Sequence, residues 1–512
     1  MPVLYINSLD DEPGFERCET FSGGVDDYTR STLLPQDASQ SLVNLISDES
    51  GELSVRPGVD PLGAVLSASQ RIPQLVYFDT PSLERVYASI NNSLRSWDGV
   101  SWTTIGAYPF GANTISAMAQ GSNLLFCSDG TNQWQTWDGA AWSGALGAGA
   151  TDPPVGANKM IWHTERMFAV KPTAYDTIYT SDIGSAGTGN WPVANQFRVG
   201  RGEGDPIKAL LSFKTFYLVV LKEASIYLVD ADPTITVANW SVVRLSNSIG
   251  CVGGAIAFAD QIMFLSRDGI RAITATEGSD TPYEVSPPLS QPVNSWIKRI
   301  NWEYAYKTVA HRYGAFVLFA IPVDSNTEPS HVLVFNLRTG KWSGVWTGWY
   351  PTAFATSRFS GVERLLFGDK NGFVQQWKDY TSVDLASTYQ DNGAEIAASW
   401  YSRGMNFGEP VNWKDPTWAE WRFINSLTNV DLKIYLDGQL ERTFTASTTA
   451  ISNSLPVDLP FDLASLRPVT IAKRLDGLTQ FNEAFLSTES TSGKWILKNA
   501  TMSAFLNTHQ DE

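Results

Sequence analysis

The sequence predicts an all-β protein: a β-propeller of about six to seven blades, with an extended N-terminal arm before it and a C-terminal β-sandwich-like domain after it. Three observations carry that expectation. Short apolar runs of β type recur at 75–78, 123–127, 215–221, 225–229, 261–265, 315–321 and 331–335, each bounded by Gly, Asp, Asn, Ser or Pro. The helical spacing i, i+3, i+4, i+7 is almost missing; its best stretch, 292–309, has room for one or two turns around Trp296, Ile297 and Ile300. A Trp-Asp-Gly unit also repeats at an offset of 40 residues, the size of one propeller blade.

Residues 1–65 are polar, turn-rich and short of strand signals, with acidic clusters at Asp10 to Glu12 and at Asp26-Asp27; they read as an arm that orders on docking. Residues 66–390 carry the repeat. Trp97-Asp98-Gly99 with Trp102 returns as Trp137-Asp138-Gly139 with Trp142, and more loosely as Arg338 to Trp342. Asp-Gly supplies the positive-φ residue of a tight hairpin, so a Trp on either side can clasp the turn and pack on the adjacent blade. Tiling at this period gives blades near 74–106, 115–147, 157–191, 206–251, 253–289, 304–346 and 352–384. From 391 the repeat stops. Alternation over 431–436, an Asp437-Gly438 turn and resumption at Leu440 mark a hairpin, and 391–512 reads as a small sandwich-like domain.

Composition sets the function classes. Asp and Glu number 53 against 37 Lys and Arg, a formal net charge of -16, so a sequence-independent grip on nucleic acid lacks its basic footprint. The 43% apolar share is ample for a core, and 19 Trp favour broad packing faces. Three well-separated cysteines, Cys18, Cys127 and Cys251, form neither a disulfide framework nor a CxxC pair. No apolar run approaches the ~18 residues of a membrane span, and the first residues lack the pattern of a signal peptide.

The sequence offers little chemistry. His163, His311, His331 and His509 show no metal-ligand spacing, and neither a GxSxG elbow nor a phosphate loop occurs. Gly200-Arg-Gly202-Glu-Gly204-Asp205 has glycines like those of a dinucleotide fingerprint but leads into a strand, which leaves no helix N-terminus for a pyrophosphate. It reads as an inter-blade loop. Carboxylate pairs such as Glu203 with Asp205 or Asp230 with Asp232 are turn residues in an acidic chain, and Asp230-Ala-Asp232 runs into Pro233 without a calcium-loop glycine. No catalytic residue, metal or cofactor is expected.

Several stretches resemble the tail nozzle proteins of bacteriophages, of the tail tubular protein B or DNA-stabilisation type. They are Gly23-Gly24 with Leu33-Leu34-Pro35, then Asn44, Gly51 and Arg56-Pro57-Gly58, then Ser181-Asp182, Asn190-Trp191-Pro192, Gly204 to Ile207, Lys222 to Leu228, Gly250 and Phe264 to Ile270. The resemblance spans about 250 residues, each motif being mostly turn chemistry, and it does not extend to the C-terminal domain. It implies a virion structural protein assembled in the host cytoplasm: a homohexameric ring below portal and adaptor, touching adaptor and fibre or spike proteins, through which DNA leaves the particle. An acidic lumen would let DNA slide where Lys and Arg would hold it, and Glu203 and Asp205 are the expected channel-facing carboxylates. Two other classes stay open: a receptor- or glycan-binding propeller, and a polysaccharide-degrading propeller enzyme.

Overall fold

The computed structural model describes residues 13–47, 50–275, 283–379, 386–424, 428–447, 469–475 and 477–506. The acidic cluster at 10–12 and His509 lie outside them. The described residues are all-β, with one short α-helix among them, Asn294–Lys298, inside the stretch that carried the helical spacing.

Seven antiparallel meanders follow one another along 74–377, close to the expected tiles, although the third runs on to Gln196–Arg198, past the expected end at 191. The first is Gln74–Thr80, Leu83–Ile90, Ser93–Trp97 and Trp102–Thr104. The others begin at Ala117–Gly121, Lys159–His163, Ile207–Phe213, Gly253–Phe258, Val309–Tyr313 and Pro351–Ser357. Each of these seven first strands lies beside the first strand of the next meander, and that of the seventh lies beside that of the first. No single sheet closes on itself.

Apolar cores alternate with the sheets. Sheets one and two share Phe78, Tyr87, Leu125 and Trp137; sheets two and three share Phe126, Trp134, Met167 and Trp191. The succession continues through Phe168 and Val220 between three and four, Leu221 and Phe264 between four and five, Leu265 and Phe319 between five and six, and Leu318 and Phe367 between six and seven. Leu366 and Val374 of the seventh sheet then pack against Leu75 and Val86 of the first. Middle strands are therefore buried on both faces, which is why Tyr217–Lys222 and Phe316–Ile321 read as unbroken apolar runs.

The N-terminal segment is not the extended arm its composition suggests. Gly14–Cys18 pairs with residues 500–504, Ala38–Val43 with 399–402, and Leu53–Val55 with both Leu45–Ser47 and 496–497. Val59–Pro61 supplies the fourth strand of the seventh sheet by pairing with 375–377. Expected segment 391–512 is correspondingly not built from its own residues alone. Its long strands Lys414–Phe423 and Ile496–Leu506 share a sheet with N-terminal strands. The strands Ala398–Ser402, Ala484–Ser490, Asn429–Leu436 and Gln439–Ser447 prolong the sixth meander through Ala38–Val43. The two sheets enclose one core containing Trp400, Trp421, Trp495, Leu432, Ile434 and Met502. Strands of two to six residues punctuated by Gly and Pro carry no usable periodicity, so only partners distant in the chain reveal them.

Asp26 accepts the amides of Tyr28 and Thr29, and Asp27 accepts the amide of Ser295 at 3.2 Å, which ties the N-terminal segment to the helix.

Candidate functional site

The Trp-Asp-Gly repeats are clasps. Gly99 and Gly139 adopt φ of +100° and +101°, a region open to glycine at little cost. Asp98 accepts the amides of Val100 and Ser101 at 2.9 and 2.7 Å; Asp138 accepts those of Ala140 and Ala141, both at 2.7 Å. Those backbone donors hold both carboxyls below the ordinary aspartate value. Across each turn the indoles pair, Trp97 with Trp102 at 5.5 Å and Trp137 with Trp142 at 5.3 Å between ring centroids.

The second Trp then reaches back. Trp102 Nε1 donates to the Leu62 carbonyl just past the outer strand of the seventh sheet, and Trp142 Nε1 to the Gly106 carbonyl just past that of the first. Trp342, in the looser copy, does the same to Leu289 beyond the fifth. Each indole thus packs its ring between two sheets, Trp342 buried and Trp102 and Trp142 half-buried, and satisfies its one donor there. The repeat is a device for joining neighbours, and it contributes no reactive group.

Glu203 and Asp205, the loop expected at the channel, are both engaged by side chains and backbone of the sheet that follows them. Glu203 accepts from Tyr227 Oη at 2.7 Å, from Arg244 and, at 3.4 Å, from the fully enclosed Lys222 Nζ. Asp205 accepts from Ser225 Oγ at 2.7 Å and from the Ala224 amide at 3.0 Å. Burial holds the Lys222 ammonium below the ordinary lysine value, with Asp205 and Asp176 pulling it back up. The loop is a counter-charge laid over the third and fourth strands of its own sheet. Composition identified it as acidic, but only the fold brings up the cations that neutralise it.

The residues of greatest structural consequence lie in the motif that carried the resemblance. Arg56 has no exposed side-chain surface, and all five of its donors are used. Nη1 and Nη2 grip Asp391 at 2.9 and 2.6 Å, Nε reaches Asn44 Oδ1 at 3.0 Å, and the remaining donors meet the carbonyls of Pro57 and Thr347 at 3.1 and 2.7 Å. The guanidinium lies 5.0 Å from the Trp349 ring centre. A Cβ on Gly58 would come within 1.9 Å of the Gln390 carbonyl oxygen, so glycine is required there. One side chain therefore joins the N-terminal segment, the end of the sixth meander and residue 391. The Arg-Pro-Gly spelling was visible in sequence; Asp391, 335 residues away, was not.

A second feature escaped the sequence reading. Phe15 stands opposite Ser503, which stands opposite Trp418, and Phe505 follows on the same face. The Phe15 and Trp418 rings lie 5.7 Å apart, Phe15 is 59% exposed, and nearby in the chain Val411 and Trp413 are 81% and 50% exposed. Strand alternation places Phe15, Trp418 and Phe505 on one face, and without the pairing of 14–18 to 500–504 they do not form a group.

Among the described residues no group of three or more His, Cys, Asp or Glu is placed to hold a metal ion, and no helix is long and apolar enough to cross a membrane. No protein-family model and no curated protein matches the chain. Among solved structures, the computationally designed Ika8 protein matches at 11% identity over 62% of this chain and 99% of that one, with a TM-score of 0.36, a likeness too distant to carry an argument.

Proposed function

We propose that the chain is a seven-bladed β-propeller fused to a β-sandwich, and that it is a structural subunit of a bacteriophage tail. In this reading several copies, six by the resemblance, form a nozzle ring below portal and adaptor that extends the channel through which DNA leaves. Support for the propeller is the cyclic succession of cores, in which the seventh sheet packs on the first and takes its outer strand from 59–61, as a ring closed by its own N-terminal segment requires.

The observation that carries assembly is the outward aromatic face formed by Phe15, Trp418 and Phe505, with Val411 and Trp413 exposed just before the strand that bears Trp418. Aromatic side chains gathered on one outward sheet face suit a surface that another protein covers. The net charge of -16 supports passage of DNA, since a channel that neutralises phosphates holds them. Glu203 is already matched by Lys222 and Arg244, so in this reading its share of the lining charge is reduced.

Native mass measurement of the purified full chain tests the reading. A hexamer that falls apart when Phe15→Ser and Trp413→Ser are combined supports it. A species that stays monomeric up to about 50 µM, well above the micromolar range that a standard-sized interface reaches, overturns the ring.

A further inference from the structure

A pocket of about 470 Å³ opens where sheets four and five meet the linker that enters sheet six, lined by Lys208, Glu223, Val252, Arg267, Trp302 and Tyr306. It lies apart from the aromatic face and the Arg56 junction, and nothing in the ring reading uses it. Its polar groups come from three elements. Lys208 is the second residue of the first strand of sheet four, Ile207–Phe213, while Glu223 and Arg267 sit at the hairpin tips of sheets four and five.

Glu223 accepts from Lys208 Nζ at 3.0 Å and from Arg267 Nη2 at 2.6 Å. The hydrogen bond from Lys208, and then that from Arg267, keeps its carboxyl below the ordinary glutamate value. One carboxylate thus fixes two cations side by side and leaves one positive charge in excess, in a chain whose surplus is negative.

The aromatic side is equally built. The 3-10 turn Ala305–Lys307 lies directly on Gly253, where a Cβ would come within 2.6 Å of the Ala305 carbonyl oxygen. That close approach seats Tyr306 at the pocket, 59% exposed, with Trp302 at 38% beside it in the chain. Two partly exposed rings beside an ammonium and a guanidinium that share one carboxylate combine a stacking platform with an anion clamp.

We propose that this pocket binds an acidic saccharide: a pyranose whose C–H face stacks on Trp302 or Tyr306 and whose carboxylate is taken by Arg267 and Lys208. A pocket of this volume suits one or two sugar units, and the negative ring faces of the aromatics favour the weakly positive C–H edge of a pyranose. Arg267, mostly exposed, keeps donors free for a bidentate grip beyond the one that meets Glu223.

Calorimetric titration of the full chain with a trisaccharide of hexuronic acid, beside the neutral hexose trisaccharide of the same linkage, tests this. The acidic sugar is expected to bind at least about tenfold more tightly than the neutral one, and less tightly as salt rises. Arg267→Gln and Trp302→Ala, both at exposed positions, are each expected to weaken it by about tenfold or more, with near-UV circular dichroism unchanged to show that the fold persists. Equal affinity for the two sugars, affinity undiminished in both variants, or no heat up to about 10 mM, beyond the weakest range of specific recognition, would each overturn the proposal.

Discussion

Replacing Arg56 by Ala isolates the buried interaction that ties the N-terminal segment to residue 391. The substitution leaves the Asp391 carboxylate, 14% exposed, with only the Val59 amide at 3.2 Å and the Trp349 indole at 3.4 Å. It also strips donors from Asn44 Oδ1 and from the Thr347 carbonyl. Removing one partner of a buried pair costs about 3–5 kcal/mol, because the other charge stays desolvated and uncompensated. Loss of the guanidinium over Trp349 adds about 1 kcal/mol, while the slight exposure of Asp391 and its two remaining donors place the pair's share at the lower end. A total near 4 kcal/mol is therefore expected. Urea unfolding followed by tryptophan emission reads it directly, since Trp346 and Trp349 both face the guanidinium. Amide exchange should accelerate around 44–59 and 388–396 before it does so in sheets two to four. The combined change Arg56→Met with Asp391→Leu removes both charges, and is expected to recover most of the loss. If Arg56→Ala shifts stability by less than about 1 kcal/mol, or if the combined change is worse than the single one, the argument from an orphaned buried charge fails.

Acid should weaken the fold through its histidines. Burial lowers His311 from 6.5 to about 4, and His163 and His331 move the same way for the same reason. Between pH 6.5 and about 4 the unfolded chain holds a proton on residue 311 that the folded chain refuses, so stability is complete above 6.5 and falls as pH drops toward 4. The loss from His311 amounts to at most about 3 kcal/mol, and His311→Gln, which can still bond Thr356, should remove that share from a pH series of urea midpoints; an unchanged series refutes it. All three cysteines are buried, with Cys18 and Cys251 thiols pushed up to about 12 and Cys127 raised further, in each case chiefly by burial. A thiol reagent at about pH 8 should therefore label the folded chain slowly and all three thiols after denaturation; rapid labelling of the native protein would contradict the packing.

The sequence by itself determined the β class, a strand-rich repeat of blade size and the hairpins, because these rest on local chemistry; whether the repeat ran to six or seven units it left open. Glycine at positive φ, aspartate accepting amides two and three residues on, and apolar runs of strand length all act within a few residues. The Trp clasp was also legible, since its period matches the sheet repeat. What only the tertiary structure decided is every relation between distant segments. Arg56 required Asp391, the seventh sheet required residues 59–61, and the aromatic face required Phe15 beside Trp418. Glu203 read as a free acid until Lys222 and Arg244 were brought to it. Backbone hydrogen bonding is blind to side-chain identity, so a three-residue strand such as Val59–Pro61 is specified by the open edge it meets, which its own sequence does not describe.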